Sequence, residues 1–231
     1  PPLEQVVAKG FEFGARGRLP WAAEYHVGFY RTVNHDDIIF QTTGRATGLF
    51  ANVDETQRMG VETELAGRIG QLGWFMNYGW VDATFESDFL ALSPAHPFAN
   101  ANGEIAVREG DRIPGIPAHT LKLGGDYTVT SAITFGGEVV YNSDQYFRGD
   151  ESNQLDTIDG YALLNLRASY RFGENVVLFG RVDNVLDSDY ENFGLIGEDP
   201  SEILPGLADT RPLFLGVGAP RAGWVGIRMR M

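Results

Sequence analysis

The chain closes on two stretches: Val177-Leu178-Phe179-Gly180-Arg181-Val182-Asp183-Asn184-Val185-Leu186-Asp187-Ser188-Asp189-Tyr190, and Pro220-Arg221-Ala222-Gly223-Trp224-Val225-Gly226-Ile227-Arg228-Met229-Arg230-Met231. In the last of them Val225, Ile227, Met229 and Met231 fall on one face, and Trp224, Arg228 and Arg230 on the other. A period of two is that of a β-strand whose faces meet different surroundings. An alternating strand that runs to the last residue is the way outer-membrane β-barrels end.

The same period extends upstream. Between Asp159 and Phe172, Ala162, Leu164, Leu166, Ala168, Tyr170 and Phe172 share a face opposite Tyr161, Asn165, Arg167, Ser169 and Arg171. Further back, Phe135, Val139 and Tyr141 alternate with Thr134, Glu138 and Asn142, and Met59, Val61, Thr63 and Leu65 with Arg58, Glu62 and Glu64. No long segment carries a helical stripe. The pattern predicts nine strands, at about 10–18, 23–42, 51–69, 73–86, 118–129, 132–147, 159–172, 176–193 and 222–231. Short connections (19–22, 70–73, 130–131, 173–175) alternate with long ones (43–50, 87–117, 148–158, 194–221). Short periplasmic turns and long extracellular loops give a membrane barrel this rhythm. Trp74, Tyr127, Phe135, Tyr170 and Phe172 all lie near short turns, where a periplasmic aromatic girdle belongs. Aromatics also favour strands in general, but that preference does not cluster them at one end.

Composition agrees. The 231 residues hold 29 glycines and 12% aromatics, with a net charge of −13 and no cysteine. The charge argues against nucleic acid as a partner. Without cysteine there is neither a disulfide framework nor a thiolate metal site. Mean hydropathy is −0.16, and no apolar run is long enough for a membrane-spanning helix. A barrel wall, half facing lipid and half facing a polar lumen, has such a composition. Nine strands do not close a bacterial barrel, which normally has an even number. The expected fold is therefore all-β: an antiparallel transmembrane barrel of which residues 1–231 supply the C-terminal portion.

Several motifs resemble one family. Arg181-Val182-Asp183-Asn184-Val185-Leu186-Asp187 with Tyr190 is similar to the Asn-Leu-Phe-Asp…Tyr pattern of TonB-dependent outer-membrane receptors. Gly60-Val61-Glu62-Thr63-Glu64 resembles their Gly-x-Glu strand, and Pro220-Arg221 precedes the closing strand as theirs does. His119-Thr120-Leu121-Lys122-Leu123 after Ile113-Pro114-Gly115-Ile116-Pro117 fits the family's entry into a barrel strand. Met231 departs from the family's usual terminal Phe. The resemblance implies a place among the last nine or so strands of a barrel of roughly 22, with the plug and first strands outside this chain. It implies residence in the outer membrane of a Gram-negative bacterium, beside lipids and lipopolysaccharide. It further implies active uptake of a scarce nutrient, most often a ferric siderophore, driven by the TonB complex through the plug. Haem, cobalamin and oligosaccharides remain alternatives, as does a passive porin-like channel.

Transport breaks no bond, so an enzyme is not expected, nor a cofactor or a metal centre. His35-Asp36-Asp37 has acid–base residues, but Asp and Asn chemistry at a turn or bulge explains it more simply. Asp150, Glu151 and Asp156 offer carboxylates to Ca²⁺ without the spacing of an EF-hand. The substrate-binding candidates lie in the long loops: Arg108, Arg112, Arg148, Asp150, Glu151 and Asn153. Guanidinium groups there would pair with anionic or phenolate groups of a ligand. Glu198, Asp199, Glu202, Asp209 and Arg211 form a third polar loop, and solvated loop surface, or acidic groups bridged through divalent cations to lipopolysaccharide, explains any one of these residues more simply.

Overall fold

The computed structural model describes residues 2–20, 23–44, 47–197 and 213–230. Strands follow in the order β1 (Val7–Arg18), β2 (Glu24–Gly44), β3 (Thr47–Ile69), β4 (Leu72–Phe85), β5 (Phe89–Leu92), β6 (Glu104–Val107), β7 (His119–Thr128), β8 (Ile133–Asn142), β9 (Tyr161–Phe172), β10 (Val176–Asp183), β11 (Glu191–Ile196), β12 (Leu213–Val217) and β13 (Ala222–Met229). Nine of them make one sheet, ordered β1-β2-β3-β4-β7-β8-β9-β10-β13, in which every neighbouring pair is antiparallel. No helix occurs among the described residues.

The register sorts the two faces. On the outer face, Phe13, Phe29, Val61 and Trp80 form a row across β1 to β4. Nearer the short turns, Leu72, Tyr127 and Phe135 form another. From Leu72 to Trp80, β4 presents only apolar or aromatic residues on alternate positions, a span that matches the ~9–11 residues of a tilted transmembrane strand. One step above Trp80 the outer face turns polar, with Arg31, Met59 and Asp82 in a row. Phe13 is 65% exposed and Val225 81%. Apolar side chains so placed, strand after strand, form a surface that only lipid covers. The inner face carries His26, Glu64, Asn77 and Lys122 in one row, and Asp126, Gly136, Arg167, Arg181 and Trp224 in another.

Three boundaries differ from the periodic reading, each for a local reason. The connection at 43–50 is mostly strand, because β2 and β3 stay paired up to Gly44 and Thr47. These strands have 21 and 23 residues, roughly 70 Å at ~3.3 Å per residue, and most of the hairpin stands above the belt. The stretch 176–193 is not one strand. It breaks after Asp183, where Asn184 and Asp187 adopt positive φ. The Asn184 side chain ties the turn: its Nδ2 donates to the Ser188 and Ala219 carbonyls, and its Oδ1 accepts from Ser188 N–H at 3.0 Å. The stretch 132–147 likewise ends its ladder at Asn142.

The buried core lies above the belt, in the long loops. Phe85, Ala91, Ile105 and Val107 cluster where the β5-β6 hairpin folds over the end of β4. Phe147, Ile158 and Ile196 cluster between the 147–158 loop and β11, which pairs with β12. The long connections are thus compact caps with cores of their own.

The belt makes a quantitative prediction. Leu123 lies in the mid-belt outer row with Leu65 and Met76. Leu123→Arg should destabilise the lipid-inserted barrel by about 2–4 kcal/mol, whereas Lys122→Arg on the lumen face should change it by less than about 0.5 kcal/mol. Urea titration of folding into lipid vesicles measures both. Equal costs would contradict the assigned faces.

Candidate functional site

Three elements converge on the upper lumen: the raised half of β2-β3, the 108–115 segment and the loop running from Phe147 into β11. Arg148 is stitched to β11, its N–H donating to Gly194 O at 3.0 Å and its carbonyl accepting from Ile196 N–H at 2.8 Å. Asp150 fastens the cap. Its carboxylate accepts from the backbone N–H groups of Gln154 and Leu155, both at 2.9 Å, and from Ser152 Oγ at 3.2 Å. His96 Nε2 meets Asp150 Oδ1 at 3.0 Å, and both side chains are wholly buried. The Ser93 hydroxyl donates to Gly149 O at 2.6 Å, so the 87–117 loop is locked to the 148–158 loop at two points. A third lock joins Asn153 to the Arg112 backbone. Its Oδ1 accepts from Arg112 N–H at 2.5 Å, and its Nδ2 donates to Arg112 O at 2.9 Å.

These locks shape a cleft of about 320 Å³. Ile38, Phe40, Phe85, Ile113, Phe193 and Ile196 give it apolar walls, and Arg58, Arg148 and Glu151 supply its charges. The Arg148 guanidinium lies over the Phe193 ring, 5.5 Å from its centre. Gly115 makes room for it, since a Cβ there would stand 3.2 Å from Arg148 Nε, and its φ of 76° already favours glycine. Arg58 is differently placed, with Nη1 at 3.1 Å from Asp37 Oδ2. Asp36 takes φ 53° inside β2, and the ladder passes from His35↔Glu55 to Asp37↔Val53. That local twist brings the Asp37 carboxylate to Asn34, Thr56 and Arg58. Among the described residues no carboxylate lies within ion-pair distance of Arg148. Arg148 is therefore the cleft's available cation, while Arg58 is already compensated.

Glu151 tunes that cation. Burial pushes its carboxyl up to about 7, and the nearby Asp150 charge adds to the rise. The Gly149 N–H, which donates to Glu151 Oε1 at 3.1 Å, and the Arg148 charge act the other way without cancelling it. A cleft with one free guanidinium, flat aromatic walls and a carboxyl titrating near neutrality suits a planar anionic group.

Of the six candidate residues, Arg148 and Glu151 face the cleft. Asp150 and Asn153 act beneath it as fasteners. Arg112 takes part through its backbone, in a bridge with Thr84. Arg108 stands at an exposed turn, where its N–H donates to Asp111 Oδ2 at 2.8 Å. The sequence reading missed Arg58, Phe40, Phe85 and Phe193, which come from strands as well as loops, whereas its turn or bulge at His35-Asp36-Asp37 is present as the positive φ of Asp36. The Asp36-Asp37 pair was the available signal, since it marked a break in an otherwise regular strand. His119 is structural, its Nδ1 2.9 Å from the Tyr78 hydroxyl. Glu198, Asp199, Glu202, Asp209, Arg211 and Met231 lie outside the described residues.

Two outcomes follow from the fasteners. Asp150→Ala strands His96 and two backbone N–H groups, and should cost the cap about 3 kcal/mol or more of local stability. Amide exchange of residues 148–158 in the folded barrel reads this directly, and unchanged protection would refute the assignment. Glu151 ionises less readily folded than unfolded, so the folded cap binds more protons. Its stabilising contribution is complete below about pH 4.5 and is lost as pH rises through about 7. Protection of the cap should fall over that window, and Glu151→Gln should flatten the dependence.

Residues 1–185 match the family model described as TonB dependent receptor-like, beta-barrel. The chain is 26% identical over 199 residues to the ferric-pyoverdine 358 receptor of Pseudomonas putida, covering 82% of this chain and 22% of that protein. It is 25% identical over 195 residues to the vitamin B12 transporter BtuB of Vibrio vulnificus (strain YJ016), covering 83% and 27%. The structure resembles that of the siderophore receptor PiuA from Acinetobacter baumannii, with a TM-score of 0.72 at 18% identity, over 96% of this chain and 28% of that one. It also resembles the ferric citrate transporter FecA, with a TM-score of 0.66 at 20% identity, over 96% and 31%. The chain thus spans about a quarter of the length of the relatives it matches. A nine-stranded wall with a lipid-facing belt, a polar inner face and folded caps, matched to the family over residues 1–185, places the chain in the TonB-dependent receptor-like β-barrel family.

Proposed function

We propose that the chain is the C-terminal part of a plugged barrel of roughly 22 strands in a Gram-negative outer membrane. The barrel captures a ferric siderophore at its extracellular mouth and admits it when the plug is rearranged through TonB. The observation that carries this reading is the Arg148 cleft, a guanidinium with no carboxylate at ion-pair distance among the described residues, laid on an aromatic ring at the upper lumen. Siderophores that bind iron through phenolate, catecholate or carboxylate oxygens present flat, anionic surfaces to such a cleft. The Pseudomonas putida and Acinetobacter baumannii relatives support the siderophore class by their names, and the Vibrio vulnificus relative supports cobalamin as the second candidate.

Arg148→Ala should weaken binding of an iron-loaded phenolate or catecholate siderophore to the full-length receptor by about 10–100-fold. Arg108→Ala, at its exposed turn, should leave it within about twofold. Binding titrations on purified receptor and TonB-dependent uptake of radioactive iron by cells decide the matter. Tight binding of cobalamin with no response to any iron complex would reassign the substrate. An upstream coding sequence without a plug of about 130–150 residues would sink the gated mechanism.

A further inference from the structure

Glu151 lines the Arg148 cleft without pairing to its cation. Its Oε1 accepts from Gly149 N–H at 3.1 Å, and among the described residues no cation lies within ion-pair distance of its carboxyl. The other charges around it are committed elsewhere. On the same loop Asp150 is bound to His96, Ser152 and two backbone N–H groups. From β3, Arg58 is met by Asp37 of β2. From the 87–117 loop, Asp111 accepts from Arg108 N–H, and the Arg112 guanidinium donates to Val81 O. β4 brings Phe85 to the cleft, and β11 brings Phe193, Leu195 and Ile196, none of which titrates.

An anion seated on Arg148, in a cleft of about 320 Å³, lies beside Glu151 as well, and the apolar walls leave little water to screen the two. Two negative charges would then share one guanidinium. Acidic groups so placed share a proton, because both cannot ionise together. The Glu151 carboxyl is prepared for this, since burial and the Asp150 charge already hold it up at about 7. Once protonated it has an O–H to donate, which an ionised carboxylate lacks. We propose that Glu151 is a specificity-determining residue of the cleft: the ligand's anionic oxygen binds between the Arg148 guanidinium and a protonated Glu151 carboxyl, and the cleft takes up a proton from solvent as it fills. This rests on the siderophore reading above and deepens it by naming the ligand group selected, an oxygen anion that accepts from an acid as well as from a guanidinium. A ligand that offers only donors leaves the acid proton unmatched and is rejected.

The direction of the pH dependence follows. An anion beside Glu151 strengthens its hold on the proton, so the proton strengthens the hold on the anion by the same factor. Below about 7 the carboxyl is already neutral in the empty cleft, and affinity is full. As pH rises past that point the proton must be captured on binding, and affinity falls until the ligand-bound form titrates too.

The test titrates the full-length receptor with an iron-loaded tris-catecholate siderophore in a calorimeter. Buffers of different ionisation enthalpy, at about pH 7.5, count the protons. Wild type should take up about half a proton per ligand, and E151Q close to none. Between about pH 6 and about pH 8.5 wild type should lose about tenfold in affinity, and at the higher pH E151Q should bind about tenfold tighter than wild type. The wild-type count stands whether or not the variant folds. Binding by wild type without proton uptake overturns the inference. So does equal uptake by E151Q, which would place the proton on the ligand or on another group. Both of these results leave the siderophore reading standing. A receptor that binds no anionic iron complex at any pH overturns that reading, and the inference with it.

Discussion

Pairing of backbone N–H and C=O groups is the constraint on which this structure depends. In lipid an unpaired peptide group costs several kcal/mol, so a spanning chain satisfies every such group internally or across strands. The antiparallel ladder from β1 to β13 does this across the sheet. Once the ladder fixes the backbone, side chains are free to be apolar outside and charged inside, because packing of a central core no longer has to hold the strands together. That freedom explains the wall's composition. Phe13 and Val225 face outward with nothing over them, while Arg167 and Asp126 sit on the opposite face of the same sheet.

Hydrophobic burial has accordingly moved to the caps. Phe85, Ile105 and Val107 form one small core and Phe147, Ile158 and Ile196 another, both above the belt. Such cores are modest, and buried polar ties reinforce them. The His96–Asp150 pair, the Ser93–Gly149 bond and the Asn153–Arg112 exchange each join segments more than forty residues apart. Buried polar pairs of this kind add little net stability, but they fix which loop meets which. The Arg148 cleft exists because those meetings are fixed.

Much of the wall was legible in the sequence because its signal is local. A period of two survives along each strand whatever the rest of the chain does, and short turns separate the strands cleanly. All nine wall strands followed from it. The misread boundaries had non-periodic causes. Asn184 ends its strand through side-chain bonds to Ser188 and to the distant Ala219, and alternation carries no trace of such bonds. The cleft was legible only in part. Arg148 and Glu151 stood out as charged loop residues, but Asp150 is equally charged and Asn153 equally polar, and both serve as fasteners. Burial separates the two roles, and burial depends on contacts between loops far apart in sequence. Arg58 and Phe193 stayed hidden because their neighbours in the cleft are set by tertiary folding.

The long β2-β3 hairpin has a mechanical consequence. Its strands are hydrogen-bonded along nearly their whole length, so the part above the belt moves as a stiff lever whose fulcrum is the membrane surface. With an arm of roughly 45 Å, a tilt of about 10° at the base would carry the tip by about 8 Å. Ile38 and Phe40, which line the Arg148 cleft, ride on that lever. Small changes in wall curvature are therefore magnified into the width of the Arg148 cleft, and the thickness and lateral pressure of a surrounding bilayer become variables of its geometry.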